Sequence, residues 1–291
     1  MAINVVWFKR DLRLSDHAAL ELASRLPEKC LLLYILEPVL LSNSHYRGRH
    51  WQFIAQSLRD LEQVLNASGR ELAVLEGNAV ALLNELDERL GIINLLSYEE
   101  TGLDVTFQRD IDVAKLCESK GIVWRQFQTN GIERGRHNRT GWNRSWHRVM
   151  TSPCHTVPVT RLNTVSVSSN SVFAAFRSAK YQTWLTARSD LQQGGQTQAH
   201  QVLNSFLSER GWGYQKFISK PENSRVHCSR LSPYLAWGNL SMRQAYQALQ
   251  QQEKRHGWSR AMNAFESRLH WHCHFIQKFE MECRMEFEDI N

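Results

Sequence analysis

Ile3–Phe8 (INVVWF) runs directly into Lys9–Ser15 (KRDLRLS), and this junction decides how the first half of the chain is read. A short apolar run ends in four charged residues, Lys9, Arg10, Asp11 and Arg13, with no glycine among them. If the run is the first strand of an open parallel sheet, these charges stand at its carboxyl end, where such sheets bind ligands. The plain alternative is a charged surface loop. A glycine-free turn cannot cradle a dinucleotide pyrophosphate in the usual G-x-G-x-x-G manner, which disfavours a nicotinamide-dependent dehydrogenase. A P-loop and a G-x-S-x-G elbow are also absent.

Outward from this junction the chain alternates. Helical spacing over Asp16–Leu26 precedes a strand at Cys30–Leu36, stopped before Pro38. Tyr46–Ala67 places Trp51, Ile54, Leu58, Leu61 and Leu65 three or four apart, an amphipathic helix. Leu72–Leu75 (strand), Ala79–Leu90 (helix), Ile92–Leu96 (strand), Asp104–Lys120 (helix) and Ile122–Phe127 (strand) follow. This alternation predicts an α/β domain, a Rossmann-like parallel sheet with helices on both faces. Residues 151–172 turn rich in Ser, Thr and Pro and read as an interdomain linker. Only helices are expected beyond it: Phe173–Arg188, Gln198–Arg210, Ser241–Arg255 and Trp258–Glu288.

The 291 residues suit about two domains. No run of about 18 apolar residues marks a membrane span, and the amino terminus lacks a secretory pattern, so a cytoplasmic protein is expected. Six cysteines without a CxxC pair argue against a zinc ribbon or a disulfide scaffold. Charge is uneven. Residues 1–120 carry 13 Lys/Arg against 18 Asp/Glu, residues 121–150 carry 6 against 1, and residues 151–291 carry 16 against 10. A polyanionic partner would therefore meet the second half. Ten tryptophans offer faces for bases, although most serve as core material.

Three separated segments carry a resemblance. VWFKRDLRLSDHAAL (Val6–Leu20) resembles the opening of the photolyase/cryptochrome family. CSRLSPYLAWGNLSMRQAY (Cys228–Tyr246) resembles its flavin-phosphate loop and the helix that follows, and FESRLHWHCHF (Phe265–Phe275) its E-L-x-W-R-E-F helix. SYEETG (Ser97–Gly102) and NRTGWNRSWHRVM (Asn138–Met150) fit a bacterial branch. The resemblance implies a light-driven, FAD-dependent repair enzyme, a deoxyribodipyrimidine photolyase-like carbon–carbon lyase acting on UV-damaged DNA. A cryptochrome-like photoreceptor or a non-catalytic chromophore- or nucleotide-binding remnant are the alternatives. It implies an antenna domain over residues 1–130, a linker over 131–172, and an incomplete all-α FAD-binding domain over 173–291, in a monomer without membrane attachment.

By the same resemblance, Tyr214, Ser229, Arg230, Leu231, Ser232 and His272 would meet FAD, and Arg268 and Trp271 the DNA. Lys9, Arg10, Glu99 and Glu100 would lie near a second, antenna chromophore of folate, deazaflavin or flavin type. Independently of the family, Ser229, Arg230 and Ser232 ahead of a helix opening at Pro233 suit an anion site. An ordinary serine cap is the simpler reading of that turn. Arg225, Arg243, Lys254, Arg255 and Arg260 are candidates for DNA phosphates, each also readable as a solvated charge. His270 and His274 share a helical face, but no second ligand pair accompanies them, and no metal is expected.

The chain departs from the family pattern where it matters. Arg268 replaces the glutamate three residues before Trp271, His272 and Cys273 replace the following Arg and Glu, and Cys228 replaces a threonine. A cation in place of an acceptor changes the substrate contact. Residues 279–291 hold five acids against Arg284 alone. Acids at a helix C-terminus oppose the macrodipole at ~0.3–1 kcal/mol each, and the family's flavin domain continues past this motif. The chain is therefore expected to stop inside that domain.

Overall fold

The computed structural model describes residues 2–178, 180–185, 190–252 and 255–289. Arg188 and Lys254, named above, lie outside the described residues. The order of elements is β1 (Ile3–Phe8), α1 (Ala18–Ala23), β2 (Lys29–Leu36), α2 (Gly48–Asn66), β3 (Leu72–Glu76), α3 (Ala79–Leu90), β4 (Ile92–Tyr98), α4 (Asp104–Lys120) and β5 (Val123–Phe127). The five strands form one parallel sheet in the order β3-β2-β1-β4-β5. Alternate residues of β1 feed two cores. Ile3, Val5 and Trp7 pack under α3 and α4 with Leu82, Leu86 and Val113, while Val6 and Phe8 pack with Ile54, Leu58 and Leu61 of α2. The strand order reverses between β1 and β4, so the crevice at their carboxyl ends is the place where such a sheet takes a ligand.

Beyond the sheet come α5 (Trp142–Thr151), α6 (Gln196–Ser208), α7 (Met242–Gln250) and α8 (Ser259–Met281). Short helical turns at Tyr214–Phe217, Pro221–His227 and Ser232–Ala236 lie between α6 and α7. These elements share one hydrophobic core with α2, through Leu203, Phe206, Tyr234, Phe265 and Leu269. No described helix is long and apolar enough to cross a membrane.

The segment 138–150 contains a helix, α5, whose Trp142, Trp146 and Met150 are buried and recur every four residues. Three helices read from the sequence are corrected. The helix expected over Phe173–Arg188 is not formed in its described part. Phe173 is fully buried in a 3-10 turn, Arg177 bridges Leu75 at the sheet edge, and only Lys180–Thr183 is helical. Tertiary pairing with β3 wins there over local propensity. The seventh long helix ends at Gln250, and the last at Met281 instead of Glu288. The acidic tail folds back: the Glu286 carboxylate accepts from the Asp104 N–H at 2.7 Å, at the positive end of α4.

The two halves meet backbone to backbone. Leu12 N–H donates to the Trp237 carbonyl at 3.1 Å, and the Asn239 amide donates to the Leu12 carbonyl at 3.0 Å. Gly238, at φ +69°, sits inside this approach. An added Cβ would stand 2.2 Å from the Arg10 carbonyl oxygen and 2.5 Å from the Asp11 Cα. Gly238→Ala is therefore expected to destabilise the protein by about 2–4 kcal/mol, since strain in backbone and packing add. Urea unfolding measures it; a change below about 0.5 kcal/mol would show that the junction is loose.

Candidate functional site

The charged turn after β1 divides its labour. Arg13 turns inward and donates to the Asp16 carbonyl (3.0 and 3.2 Å) and to the Gly238 carbonyl (3.1 Å). Asp11 is buried between the Lys9 N–H (2.6 Å) and His17 Nε2 (2.8 Å). Since His17 Nδ1 accepts from the Leu20 N–H, Nε2 carries the proton in that pairing. Burial pushes the His17 pKa down and keeps the ring neutral. Asp16, in the left-handed region at φ 51°, presents its carboxylate to Ser241 Oγ (2.5 Å), the His155 N–H (3.0 Å) and the Arg243 guanidinium. Burial raises the Asp16 pKa, but Arg243, Arg13 and Ser241 outweigh it and hold the carboxyl below the ordinary value. Arg243 is thus an interdomain anchor, not a free cation for DNA phosphates.

A second charged lattice fills the space behind Lys9. Lys9 Nζ meets Asp110 at 2.8 Å. Arg109 bridges Glu37 (2.6 Å), Asp110 (2.8 Å) and Glu100 (3.0 Å), with its guanidinium 4.9 Å from the Trp7 ring centroid. All five groups are buried. Burial alone would lower the Arg109 pKa; the three carboxylates reverse this and keep it charged. Sequence reasoning missed Glu37, Arg109 and Asp110. The signal was available in α4, whose inward stripe, Thr106, Arg109, Asp110, Val113 and Cys117, has helical spacing and two charges in it.

At the β1/β4 crevice, a cleft of about 150 Å³ is lined by Arg10, Glu99, Thr129, Asn130, Ala236 and His272, with Lys9 and Glu100 at its back. Of the four residues expected near an antenna, Lys9 and Glu100 are held in the buried lattice. Arg10 donates to the Ala236 carbonyl at 3.2 Å and lies over the Trp237 ring. The Glu99 side chain makes no hydrogen bond among the described residues, and burial raises its pKa. His272 lines this cleft; burial and the Arg10 charge bring its pKa down to about 4, so the ring is neutral at pH 7. Its Nδ1 is buried without a partner, and no hydrogen bond links it to residues 229–232 among the described residues.

The segment Cys228–Ser232 forms a separate feature. Arg230 adopts φ 62°, and Leu231 follows in the right-handed region (φ −86°, ψ −14°). A left-handed residue followed by a right-handed one turns successive N–H groups into a common concavity, a nest for anions. Among the described residues the backbone N–H groups of Ser229, Arg230, Leu231 and Ser232 donate no hydrogen bond. The carbonyl side of the loop is held from behind: Arg210 donates to the Cys228 carbonyl at 2.7 Å and Gln192 to the Arg230 carbonyl at 2.5 Å. The helical turn that follows starts at Ser232 with Leu231 as its cap, and has five residues. A helix this short contributes little dipole, so what the segment offers is the loop backbone itself. Leu231 and Tyr214 are buried. Tyr214 packs edge-on against Phe206 (5.3 Å) and Phe265 (6.1 Å), and burial pushes its phenol up to about 12.

On α8, Arg268 and Trp271 lie on the outer face, the guanidinium 5.4 Å from the Trp271 ring centroid. His270 meets Asn143 of α5 at 3.1 Å, and Arg139, in the turn before α5, donates to His274. Among the described residues no three His, Cys, Asp or Glu side chains gather as a metal site.

A parallel sheet docked at its switch point onto a helical layer is an α/β architecture of the kind whose ligands bind beyond the carboxyl ends of the strands. The DNA photolyase family profile matches residues 4–140. Deoxyribodipyrimidine photo-lyase of Vibrio cholerae is 26% identical over 295 aligned positions, covering 92% of this chain and 60% of that protein. Cryptochrome-2 of Gallus gallus is 31% identical over 119 residues, 41% of this chain and 20% of that one. The solved bacterial class III photolyase of Agrobacterium tumefaciens superposes with a TM-score of 0.80 at 22% identity, over 100% of this chain and 61% of its own. The first half of the chain is similar to the DNA photolyase family, and the chain as a whole shares the fold of that solved photolyase; it spans about three fifths of the length of that photolyase relative and of that solved structure.

Arg243→Met strands the Asp16 carboxylate in the interface and is expected to cost about 3 kcal/mol. Asp16 has a depressed folded pKa, so its contribution is complete above 3.8 and is lost as pH falls through the folded value below that. Urea titrations of both proteins from pH 7 to pH 3 measure this. A wild-type/variant gap that stays constant down to pH 3 would contradict the assignment.

Proposed function

We propose that this chain is a flavin-binding, DNA-directed module of photolyase type, and that the nest at Ser229–Ser232 receives the phosphates of FAD. The observation that carries the reading is the run of undonated N–H groups beside the left-handed Arg230. Phosphate oxygens are the natural acceptors for such a concavity, and the Arg230 guanidinium adds charge. Ser229 and Ser232 stand at the two ends of the loop with hydroxyls for the same oxygens. Tyr214 and Leu231 support the loop from the core, and Arg210 keeps its carbonyls turned away from the anion.

When bound, FAD supplies light absorption and one-electron chemistry on a pyrimidine photoproduct. The chain's own part is to hold the phosphates, to exclude water beneath the loop through Leu231, and to present Trp271 as a flat face to an unstacked base. Arg268 brings a cation where the family carries an acceptor, so its contact is to phosphate or to a carbonyl-rich base edge. Signalling without repair is the second reading, favoured by that same Arg268 and by the match to cryptochrome-2. For an antenna chromophore the fit is poor. Of the four residues expected near one, Glu99 alone has a side chain without a hydrogen bond among the described residues, and about 150 Å³ is below the ~300–1,000 Å³ of sites that enclose a whole ligand; no step is assigned to it.

Titration of the purified chain with FAD, read by flavin absorbance and fluorescence, tests the nest. Arg230→Val disfavours the left-handed backbone and should weaken binding about tenfold. Arg230→Gly keeps the backbone and should cost less. Equal loss in both would assign the affinity to the guanidinium, and no flavin binding by the wild-type chain would remove the proposal. Loss of dimers from UV-irradiated oligonucleotide under blue light, but not in the dark, separates repair from signalling.

A further inference from the structure

Where α8 packs on α5, three imidazoles gather. His147 of α5 is stacked on His270 of α8 with ring centroids 6.4 Å apart, and His270 stands 6.5 Å from His274, one turn further on. These rings meet the two tryptophans that seat α5. His270 is 5.0 Å from the Trp142 ring and 4.8 Å from the Trp146 ring, and His274 is 6.0 Å from Trp142. Both indoles are buried, so the histidines form the polar edge of the α5/α8 contact. None of the three lines the cleft at β1 and β4.

The hydrogen bonds fix the protonation state in which this packing holds. A guanidinium has only donors, so Arg139, 2.5 Å from His274 Nε2, requires that nitrogen to be unprotonated. His270 Nε2 donates to the Asn143 amide oxygen at 3.1 Å. The charged neighbours are mostly cations. Arg139, Arg144 and Arg148 come from α5 and the turn before it, and Lys278 of α8 lies one turn beyond His274. Arg268 of α8 is turned to Trp271 on the outer face. From α7 comes Tyr246, 6.4 Å from His147, and the Glu266 carboxyl, one turn before His270, is directed at the Tyr246 hydroxyl. Among the described residues no carboxylate forms an ion pair with any of the three rings. Burial and the adjacent imidazoles lower the His270 pKa; burial, Arg139 and Lys278 lower that of His274.

We propose that His147, His270 and His274 form a pH-sensitive clasp that holds α5 on α8 while the rings are neutral and releases it as they take up protons. Protonation of His274 turns its donor–acceptor contact with Arg139 into two facing cations. A charge on His270 then lies between His147 and His274, inside the ~8 Å screening length at physiological salt. Indole faces stabilise one cation, not a row of three beside Arg139. The folded pKa values of His270 and His274 lie below the unfolded value of 6.5. The clasp is therefore complete above that pH and weakens as pH falls toward the folded values. The core between the sheet and α3 and α4 contains none of these rings, so the sheet stays folded when the clasp opens. Neither flavin nor DNA enters the inference, which stands or falls apart from the function proposed above.

Amide hydrogen exchange of the wild-type chain at pH 7.5 and pH 5.5, corrected for intrinsic rates, provides the test. Protection of residues 142–151 should fall about tenfold or more at the lower pH, because each proton taken up on opening shifts the equilibrium by up to about tenfold per pH unit. Protection of β1 and β4 should not change. The His270→Gln/His274→Gln double variant, which keeps polar groups but cannot take up protons, should hold its α5 protection at pH 5.5. Arg139→Gln retains a donor for His274 without the charge and should reduce the fall to about threefold. This exposed position keeps the test valid even where the double substitution disturbs packing. Equal α5 protection at both pH values in the wild type overturns the proposal. So does a fall shared by β1 and β4, which would mark global acid unfolding, or a fall that Arg139→Gln leaves unchanged.

Discussion

Asp16 is the residue on which the two halves of the molecule turn. Its backbone is bent into the left-handed region, so that its carbonyl faces Arg13 and its carboxylate faces Ser241 and Arg243. One residue thus ties the end of β1 to the start of α7. The carboxylate is buried, and a buried charge is tolerable only when fully paired. Here every partner comes from the other half of the chain or from the segment joining them, so the ion pair is satisfied only when the helical layer is seated. Gly238 completes the junction by letting backbone approach backbone where a side chain would not fit.

Seating the helices decides what the crevice of the sheet becomes. In an open doubly wound sheet the carboxyl ends of β1 and β4 face solvent. Here Ala236, His272 and the buried lattice around Arg109 close most of that space, and a small cleft remains. Away from the crevice, on the helical layer, lies the loop at Ser229–Ser232, with Arg230 in the left-handed region. Arg210 and Gln192 hold the carbonyls of that loop from behind and leave its N–H groups undonated.

Much of the first half was legible from periodicity. Strand β1 and the helices α3 and α4 have the boundaries their apolar runs and spacing predict, because β1 is buried on both faces and each helix buries one stripe against the sheet. The Cys228–Tyr246 motif was legible as letters, but the left-handed φ of Arg230 was not, and neither was the burial of Tyr214 and Leu231. The polar lattice stayed hidden because its members are far apart in sequence: Glu37, Glu100 and Arg109 meet only when β2, β4 and α4 are assembled. Helix α5 was hidden for another reason. Its hydrophobic stripe is only three residues, and six Lys/Arg across residues 121–150 mask it.

What the sequence determined by itself was the α/β alternation, the family-specific motifs and the concentration of positive charge after residue 120. All of these are local, since periodicity and motif spacing are properties of neighbouring residues. The tertiary structure alone decided which charges are anchors and which are free. Arg13, Arg109 and Arg243 are spent inside, while Arg144, Arg148 and Arg268 stand outside. The letters cannot distinguish them, because the cost of burying a guanidinium depends on whether carboxylates and carbonyls from distant segments arrive to meet it.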